Sequence, residues 1–247
     1  MAATQIKAVL FDLGETLLNF GKVDTVALFK QAGKLAWNYL KQNGQSVENL
    51  KPYLLKNMLL IRMRIFLSNI TGNDFDSLAV LKNHGIKKGY KLTDEQWQQV
   101  NHLWYQPLRE KCTLEPNIKE TLNELRQANL KLGIISNTFV NAVSLDKHLE
   151  EEGLIEFFEH RIYSYQYGFR KPDKRIFLAG AEMVDTKPEN IIYVGDRIDK
   201  DIKGAANAGL RPVMKRAFTN EGKKPLNGVP VIEKISELPA LIKKING

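Results

Sequence analysis

The sequence predicts an α/β fold in which a doubly wound parallel sheet is interrupted, after its first strand, by an all-helical segment. An apolar run near the N-terminus has the character of a buried strand, and short strand-like runs alternate with helical stretches in the C-terminal half. Such alternation is typical of a parallel sheet covered by helices on both faces. The long stretch between these two regions contains no convincing strand. We therefore expect an α/β core domain built from residues 1–20 and 113–247 and an α-helical domain at residues 21–112.

The predicted strands of the sheet are short apolar runs. The first has the sequence IKAVLF at 6–11, and the others lie at 132–135, 161–163, 191–194, 211–214 and 229–232. Helical stretches separate them, at 118–129, 144–152, 173–184 and 201–208. Because parallel strands need a crossover connection, usually a helix, we expect these runs to pair in parallel within one sheet.

The segment at 21–112 is predicted to form four helices. Apolar residues recur at helical spacing over 24–43, where Gly44 ends the pattern, and two further helices are expected at 52–70 and 75–84. The sequence Thr93-Asp-Glu-Gln96 has the form of a capping box, which predicts the start of a fourth helix.

Composition and charge narrow the class of protein. The net charge is +8, from 36 basic and 28 acidic residues, and the segment at 21–112 holds 14 basic and 7 acidic residues, a net of +7. Basic surface can attract nucleic acid or steer small anions. Because the lysines of this segment are scattered rather than clustered with aromatic residues, we expect a solvated surface and no nucleic-acid partner.

Two further observations exclude other classes. The single cysteine, Cys112, excludes an intramolecular disulfide framework and a zinc site built from several cysteines. No apolar run approaches the length of a membrane span, and the run before Asp12 is too short for a secretory signal. The sequence therefore predicts a cytoplasmic protein that has no membrane partner.

Polar side chains follow four of the predicted strands. Asp12 follows the first strand, Ser136 and Asn137 follow the second, and Lys171 lies in the loop after the third; Asp196 and Asp201 follow the fourth. In a doubly wound sheet, ligands bind beyond the carboxyl ends of the strands. Carboxylates, a hydroxyl and a lysine brought together there would form a site for a hard cation and an anion.

These residues resemble the motifs of the haloacid dehalogenase (HAD) superfamily, whose members are mostly magnesium-dependent phosphohydrolases with a Rossmann-like core. The four motifs occur in order along the chain, and the helical insertion matches the α-helical cap of that family. The motifs are FDLGETL at 11–17, Ser136-Asn137, Lys171-Pro172, and Gly195-Asp196 with Asp201. The resemblance thus covers the whole chain and implies a Mg²⁺-dependent phosphohydrolase acting on a small phosphorylated metabolite.

The resemblance also implies roles for single residues. Asp12 would be the nucleophile that forms an aspartyl-phosphate. Mg²⁺ would be held by Asp12, Asp196 and the backbone carbonyl of Gly14, with Asp201 as a ligand or as a support for the ligands.

The substrate phosphate would be bound by residues from the second and third motifs. Ser136 and Asn137 would lie at the phosphate, and Ser136 would donate a hydrogen bond to a phosphoryl oxygen. Lys171 would offset the negative charge between Asp12 and the phosphate and is therefore counted as catalytic. Thr16 is placed in the binding set, where it would brace the loop after the first strand.

One position departs from the family pattern Asp-x-Asp-Gly-Thr. The second Asp, which protonates the leaving group and then activates water, is replaced by Gly14, and Glu15 stands where Gly is usual. Loss of general acid–base help typically costs about 10²–10⁴ in rate.

Several interpretations of this departure stay open. The chain could be a phosphatase that uses Glu15 as a substitute or a substrate that needs no acid. It could be a phosphonatase-like enzyme, in which a lysine of the cap forms a Schiff base, or a protein that binds magnesium and phosphate with weak or no turnover. A dehalogenase-like chemistry is disfavoured by the intact pair Asp196 and Asp201. The sequence predicts no oligomeric state.

Overall fold

The computed structural model describes residues 5–247, and these contain one six-stranded parallel sheet with the strand order β3-β2-β1-β4-β5-β6. All six predicted strands are present. Their bounds are β1 Ala8–Phe11, β2 Lys131–Ser136, β3 His160–Tyr163, β4 Ile191–Gly195, β5 Arg211–Lys215 and β6 Val231–Ile232. The predicted α/β class with a parallel sheet is therefore confirmed. Residues 1–4 of the predicted core domain lie outside the described residues.

The first strand lies in the middle of the sheet, between β2 and β4. Its last residue, Phe11, is in register with Ile134 of β2 and with Val194 of β4. Ile135 of β2 is in turn paired with Ile162 of β3. Because all these strands run in the same direction, the residues that follow them emerge at one edge of the sheet.

Five helices cover the sheet: α5 Ile118–Gln127, α6 Ala142–Glu151, α7 Lys174–Met183, α8 Lys203–Asn207 and α9 Leu238–Asn246. Alternate residues of β1 face opposite sides, since Val9 and Phe11 join one apolar cluster and Ala8 and Leu10 join the other. The first cluster includes residues of α5, α6 and α9, and the second includes residues of α7 and α8. Helices on both faces make the sheet doubly wound, as predicted.

Four helices without an intervening strand occupy residues 25–109, and we call this part the helical segment. Its helices are α1 Thr25–Gln42, α2 Leu50–Thr71, α3 Ser77–Lys87 and α4 Asp94–Arg109. The capping box predicted from Thr93 and Gln96 is formed in both directions at the start of α4. A separate apolar cluster, with Ala36, Leu40 and Trp97 among its buried members, holds the segment together.

The chain enters and leaves the helical segment at neighbouring points. Asn19 and Thr113 form an antiparallel bridge, in which the Asn19 N–H donates to the Thr113 carbonyl at 3.0 Å and the Thr113 N–H donates back at 2.8 Å. Within residues 5–247, no helix combines the length and the apolar character that are needed to cross a membrane.

Candidate active site

Three buried carboxylates lie together at the carboxyl edge of the sheet. Asp12, Asp196 and Asp201 each present an oxygen that lies within 4.8 Å of the oxygens of the other two. The position of Asp12 is fixed by its backbone N–H, which donates to the carbonyl of Val194 in the neighbouring strand β4 at 2.8 Å. The structure thus brings together the three acidic residues that the sequence analysis placed at this edge.

Lys171 lies among these carboxylates and is only 2% exposed. Its Nζ donates to Asp12 Oδ1 at 2.5 Å, to Asp201 Oδ1 at 2.6 Å and to the Tyr193 hydroxyl at 2.8 Å. Three acceptors match the three donors of an ammonium group. The lysine is therefore held rigidly beside Asp12.

Asn137 fixes the backbone of Lys171. Its side-chain oxygen accepts from the Lys171 N–H, and its side-chain nitrogen donates to the Lys171 carbonyl, both at 2.8 Å. Asn137 also borders the site cavity, but its amide is used by this pair of bonds. Its predicted place at the phosphate is therefore accompanied by a positioning role that the sequence did not indicate.

The charges of the site are not balanced by the protein. Burial raises the pKa of Asp12 to about 8; the Lys171 ammonium opposes this effect, and the carboxylates of Asp201 and Asp196 add to it. Burial, followed by the Asp201 carboxylate, also raises the pKa of Asp196. Burial alone would lower the pKa of Lys171, but Asp12 and Asp201 raise it above its ordinary value. Three carboxylates facing one ammonium favour the binding of a further cation.

Asp196 carries the atom that fits a metal ion. Its Oδ1 is buried and has no hydrogen-bond partner among residues 5–247, while its Oδ2 accepts from the Thr219 hydroxyl. The backbone of Asp196 is held by Asn220, whose side-chain nitrogen donates to the Asp196 carbonyl at 2.8 Å. A buried carboxylate oxygen without a donor is costly, and a hard cation is the partner that would satisfy it.

Asp201 is placed differently, because both of its oxygens are engaged. Oδ1 accepts from Lys171 and, at 3.2 Å, from the Tyr193 hydroxyl; Oδ2 accepts from the backbone N–H of Arg197 at 2.8 Å. A Cβ on Gly195 would lie 2.5 Å from Asp201, so glycine is needed where Asp201 packs against the end of β4. This geometry makes Asp201 a support for Lys171.

In the loop after β1, Glu15 stands in a conformation that favours glycine, and its side chain is held by the backbone. Glu15 has φ 60°, which is left-handed and accounts for the glycine usual at that position. Its Oε1 accepts from the backbone N–H groups of Phe20 at 3.0 Å and Gly21 at 3.1 Å. Burial raises the pKa of Glu15, and these two hydrogen bonds oppose the rise. The carboxylate therefore stabilises the chain that leads to the helical segment.

Gly14 leaves space for a side chain. A Cβ built on Gly14 would have the Phe20 ring, at 3.9 Å, as its nearest neighbour, and the backbone of Gly14 is not left-handed. An aspartate could therefore stand at this position without a steric clash at Cβ.

Thr16, which was predicted to belong to the substrate-binding set, lies away from the site cavity in this structure. Thr16 is fully buried and does not border the site cavity. Its hydroxyl has no hydrogen-bond partner in the described part of the chain. The residue lies inside the loop after β1, and its roles in bracing that loop and in binding substrate both stay predictions.

The carboxylates and Lys171 open into a cavity of about 370 Å³, which we call the site cavity. Ser136 lies in its wall, at the end of β2. Tyr105 and Leu108 of helix α4 form the side opposite the sheet edge, and cationic side chains of the core also border it, namely Arg170, Arg197 and Lys200. A cavity with this lining can accept a small anion.

Arg170, next to Lys171 in sequence, links the core to the helical segment. Its guanidinium donates to Asp74 Oδ1 at 2.6 Å, to Ser68 Oγ at 2.8 Å and to Asn69 Oδ1 at 2.8 Å. The Ser164 hydroxyl of the core donates to the other oxygen of Asp74. Sequence reasoning missed this link, since neither Arg170 nor Asp74 lies in a motif that indicates a partner.

Tyr193 and Thr219 were missed as well. Tyr193 is the polar residue inside the apolar strand β4, which is a signal that a buried hydroxyl needs partners. Thr219 lies in the loop after β5, and nothing in the sequence around it indicates its bond to Asp196.

A family model described as haloacid dehalogenase-like hydrolase matches residues 6–209 of the chain. The chain belongs to the haloacid dehalogenase-like hydrolases. The family predicted from the four motifs is therefore confirmed.

Named relatives of this hydrolase include a phosphatase. Glyceraldehyde 3-phosphate phosphatase of Methanopyrus kandleri is 34% identical over 225 residues, which are 90% of this chain and 89% of that protein.

Solved structures of the family share the fold of this hydrolase. The HAD phosphatase from Thermococcus onnurineus matches with a TM-score of 0.63 at 21% identity, over 96% of this chain and 98% of that one. The 2-haloacid dehalogenase from Pseudomonas syringae pv. Tomato matches with a TM-score of 0.65 at 22% identity, over 97% and 99%. Both chemistries occur on this fold, so the residues of the site must decide between them.

Proposed function

We propose that this hydrolase is a Mg²⁺-dependent phosphatase that cleaves a small phosphorylated metabolite through an aspartyl-phosphate on Asp12. The observation that carries the proposal is the buried, unpartnered Oδ1 of Asp196 beside Asp12 and Asp201. A dehalogenase-like reaction would leave that oxygen without a function. The 34% identical relative, named as a glyceraldehyde 3-phosphate phosphatase, supports the reaction class.

The residues at the sheet edge fit a magnesium ion. Asp12, Asp196 and the backbone carbonyl of Gly14 would hold it, while Asp201 supports Lys171. When bound, Mg²⁺ would neutralise part of the charge of the carboxylates and of the incoming phosphate. The alternative of a protein that binds magnesium and phosphate without turnover is less favoured, because Lys171 is held beside Asp12, where it can offset the charge that develops in phosphoryl transfer.

The chain's own groups are arranged for phosphoryl transfer. A carboxylate oxygen of Asp12 attacks phosphorus, and the bond from phosphorus to the leaving alcohol oxygen breaks. Lys171, fixed 2.5 Å from Asp12, stabilises the negative charge on the transferring group. Ser136 donates to a phosphoryl oxygen. Water then attacks the aspartyl-phosphate, which releases inorganic phosphate and restores Asp12.

General acid–base help is the weak part of this site. Gly14 has no carboxyl group, and Glu15 Oε1 is already occupied by two backbone N–H groups. We therefore expect the leaving alcohol to take its proton from water. Substrates whose leaving groups depart without protonation should react faster, and the aspartyl-phosphate should accumulate.

The helical segment would serve as the cap of this site. Tyr105 and Leu108 of α4 border the site cavity, where they would exclude bulky polymers and water. The phosphonatase alternative needs a lysine of this segment at the cavity. The lysines that border the cavity within residues 5–247 are Lys171 and Lys200, both from the core.

A phosphate-release screen over phosphorylated metabolites, with and without Mg²⁺, tests the proposal. Asp12→Asn should abolish release. Asp196→Asn should require a much higher Mg²⁺ concentration for turnover. Asp199 is an exposed aspartate that follows Asp196 closely in sequence, so the matched control Asp199→Asn should behave as wild type. Turnover that is indifferent to EDTA, or halide release from 2-haloacids that depends on Asp12, would overturn the magnesium phosphatase.

A further inference from the structure

The helical segment encloses a second cavity, of about 440 Å³, which we call the apolar cavity. Its walls come from α1, α2, α3 and α4 and from the core loop after β2. Leu28, Ala32, Ile61 and Trp104 are among its apolar side chains. A cavity of this size and lining is typical of a small-molecule site.

The apolar cavity and the site cavity share a wall. Tyr105, Leu108 and Val140 border both of them. The two cavities are therefore adjacent, with these three side chains between them.

Several polar side chains that border the apolar cavity are already hydrogen-bonded, whereas the buried Nε1 of Trp104 has no partner among residues 5–247. The Ser77 hydroxyl donates to Asn101 Oδ1 at 2.7 Å, and Asn101 Nδ2 donates to a serine of α6 at 2.8 Å. Asn57 Nδ2 donates to the carbonyl of Tyr53 at 2.9 Å. Most hydroxyl groups of a sugar or polyol would have to compete with the bonds of Ser77, Asn101 and Asn57, and buried polar groups without partners are costly.

We propose that the apolar cavity holds the organic group of the substrate, and that the substrates are phosphate monoesters of apolar alcohols, of which aryl esters react faster than alkyl esters because their leaving groups need no protonation. This inference rests on the proposed phosphatase function and specifies its substrate class. If one liquid water takes roughly 30 Å³, the cavity of about 440 Å³ has room for an organic group of about fifteen non-hydrogen atoms at most. A three-carbon polyol phosphate would leave most of this apolar wall uncovered.

Binding of alkylphosphonates tests this inference without catalysis. These compounds carry the phosphate-like head group but have a P–C bond where the ester oxygen would be. Calorimetry with Mg²⁺, from methylphosphonate to octylphosphonate below micelle-forming concentrations, should show affinity rising about two- to fourfold per methylene, as expected for burial of each CH₂ group. Affinity that is independent of chain length overturns the inference.

Filling the apolar cavity should remove the gain. Ala32 is buried in α1 and borders the cavity, so Ala32→Leu should weaken octylphosphonate binding about tenfold or more and leave methylphosphonate binding unchanged. The matched control is Ala27→Leu, an exposed position of the same helix that does not border the cavity. If Ala32→Leu fails to fold, Ile61→Trp, at a half-buried position of α2, makes the same test.

Hydrolysis of the matching alkyl phosphates distinguishes a failure of the proposed substrate class from a failure of the proposed phosphatase function. Phosphate release that depends on Asp12 but is equal for ethyl and octyl esters, or is faster for glyceraldehyde 3-phosphate, overturns the substrate class and leaves the phosphatase. Chain-length-dependent phosphonate binding without release from any ester overturns the phosphatase and retains the ligand class of the apolar cavity.

Discussion

The link between Arg170 and Asp74 should hold the helical segment against the core. The Asp74 side chain is 5% exposed and that of Arg170 is 17% exposed. Asp74 accepts from Arg170, from Ser68 at 2.7 Å and from Ser164, so its carboxylate serves donors from both parts of the chain. The test is a double-mutant cycle with Asp74→Asn, Arg170→Met and the double variant.

The magnitude follows from these contacts. Asparagine at 74 keeps one acceptor oxygen but turns the other into a donor, so one of the three donors is left unpaired and the half-buried guanidinium loses its counter-charge. A hydrogen bond to a charged group contributes about 1.5–3 kcal/mol, and breaking a buried ion pair costs about 3–5 kcal/mol. We expect Asp74→Asn to lower the free energy of unfolding by about 2–4 kcal/mol, with a coupling energy to Arg170 of about 1.5–3 kcal/mol.

Urea denaturation of the four proteins measures both quantities. The exposed pair Lys82 and Asp94 of the helical segment provides the control cycle, in which a coupling below about 1 kcal/mol is expected because surface ion pairs contribute little. If the effects of Asp74→Asn and Arg170→Met are simply additive, the two side chains do not act as a link and the reasoning is refuted.

Three further results are expected. When turnover is titrated with Mg²⁺, Asp196→Asn should show Mg²⁺ binding weakened by about tenfold or more, since a neutral amide is a poorer ligand for a hard cation. An unchanged Mg²⁺ requirement would contradict the proposed metal site. When the wild type is mixed rapidly with an aryl phosphate, it should show a burst of phenol followed by slow turnover. Gly14→Asp should raise the steady-state rate about 10²-fold by restoring the acid–base group. Fast hydrolysis of alkyl phosphates by the wild type without a burst would refute this prediction. Burial lowers the pKa of His148 to about 4 from its ordinary 6.5, so on acidification the unfolded chain binds a proton there before the folded chain does, and stability should fall as pH drops from about 6.5 to 4. The urea midpoint of His148→Gln should lose that part of the pH dependence. Equal dependence of the urea midpoint on pH in both proteins would contradict this prediction.

Much of the sheet could be predicted from the sequence, because its strands are buried on both faces and appear as continuous apolar runs. The bounds are less predictable. The last strand, expected at 229–232, is paired only over Val231–Ile232, and the helix expected at 201–208 begins as a π-helical turn at Ile198–Ile202. The second difference arises where a tertiary contact, that of Asp201 with Gly195, bears on the local backbone.

The positions of the site residues could be predicted because the carboxyl ends of parallel strands share one edge. The partner of each polar atom could not be predicted from the sequence. Asp201 was expected as a ligand or a support, and only the structure shows both its oxygens in use. Thr16 shares a loop with Asp12 but its side chain is buried, and the sequence does not give the direction of a side chain in a loop. The apolar cavity depends on four helices meeting, which no local pattern records.

The bridge between Asn19 and Thr113 has a consequence for how such a protein can change over time. Since the two chain ends of the helical segment are already hydrogen-bonded to each other, the sheet depends on that segment for neither its strand order nor its chain path. Insertions are best tolerated where the chain leaves and returns at adjacent surface points, and a longer loop there adds little closure entropy. A lineage can therefore exchange the whole helical insert, and with it the walls of the apolar cavity, while Asp12 and Lys171 stay in place. New specificity at this junction requires no redesign of the chemistry.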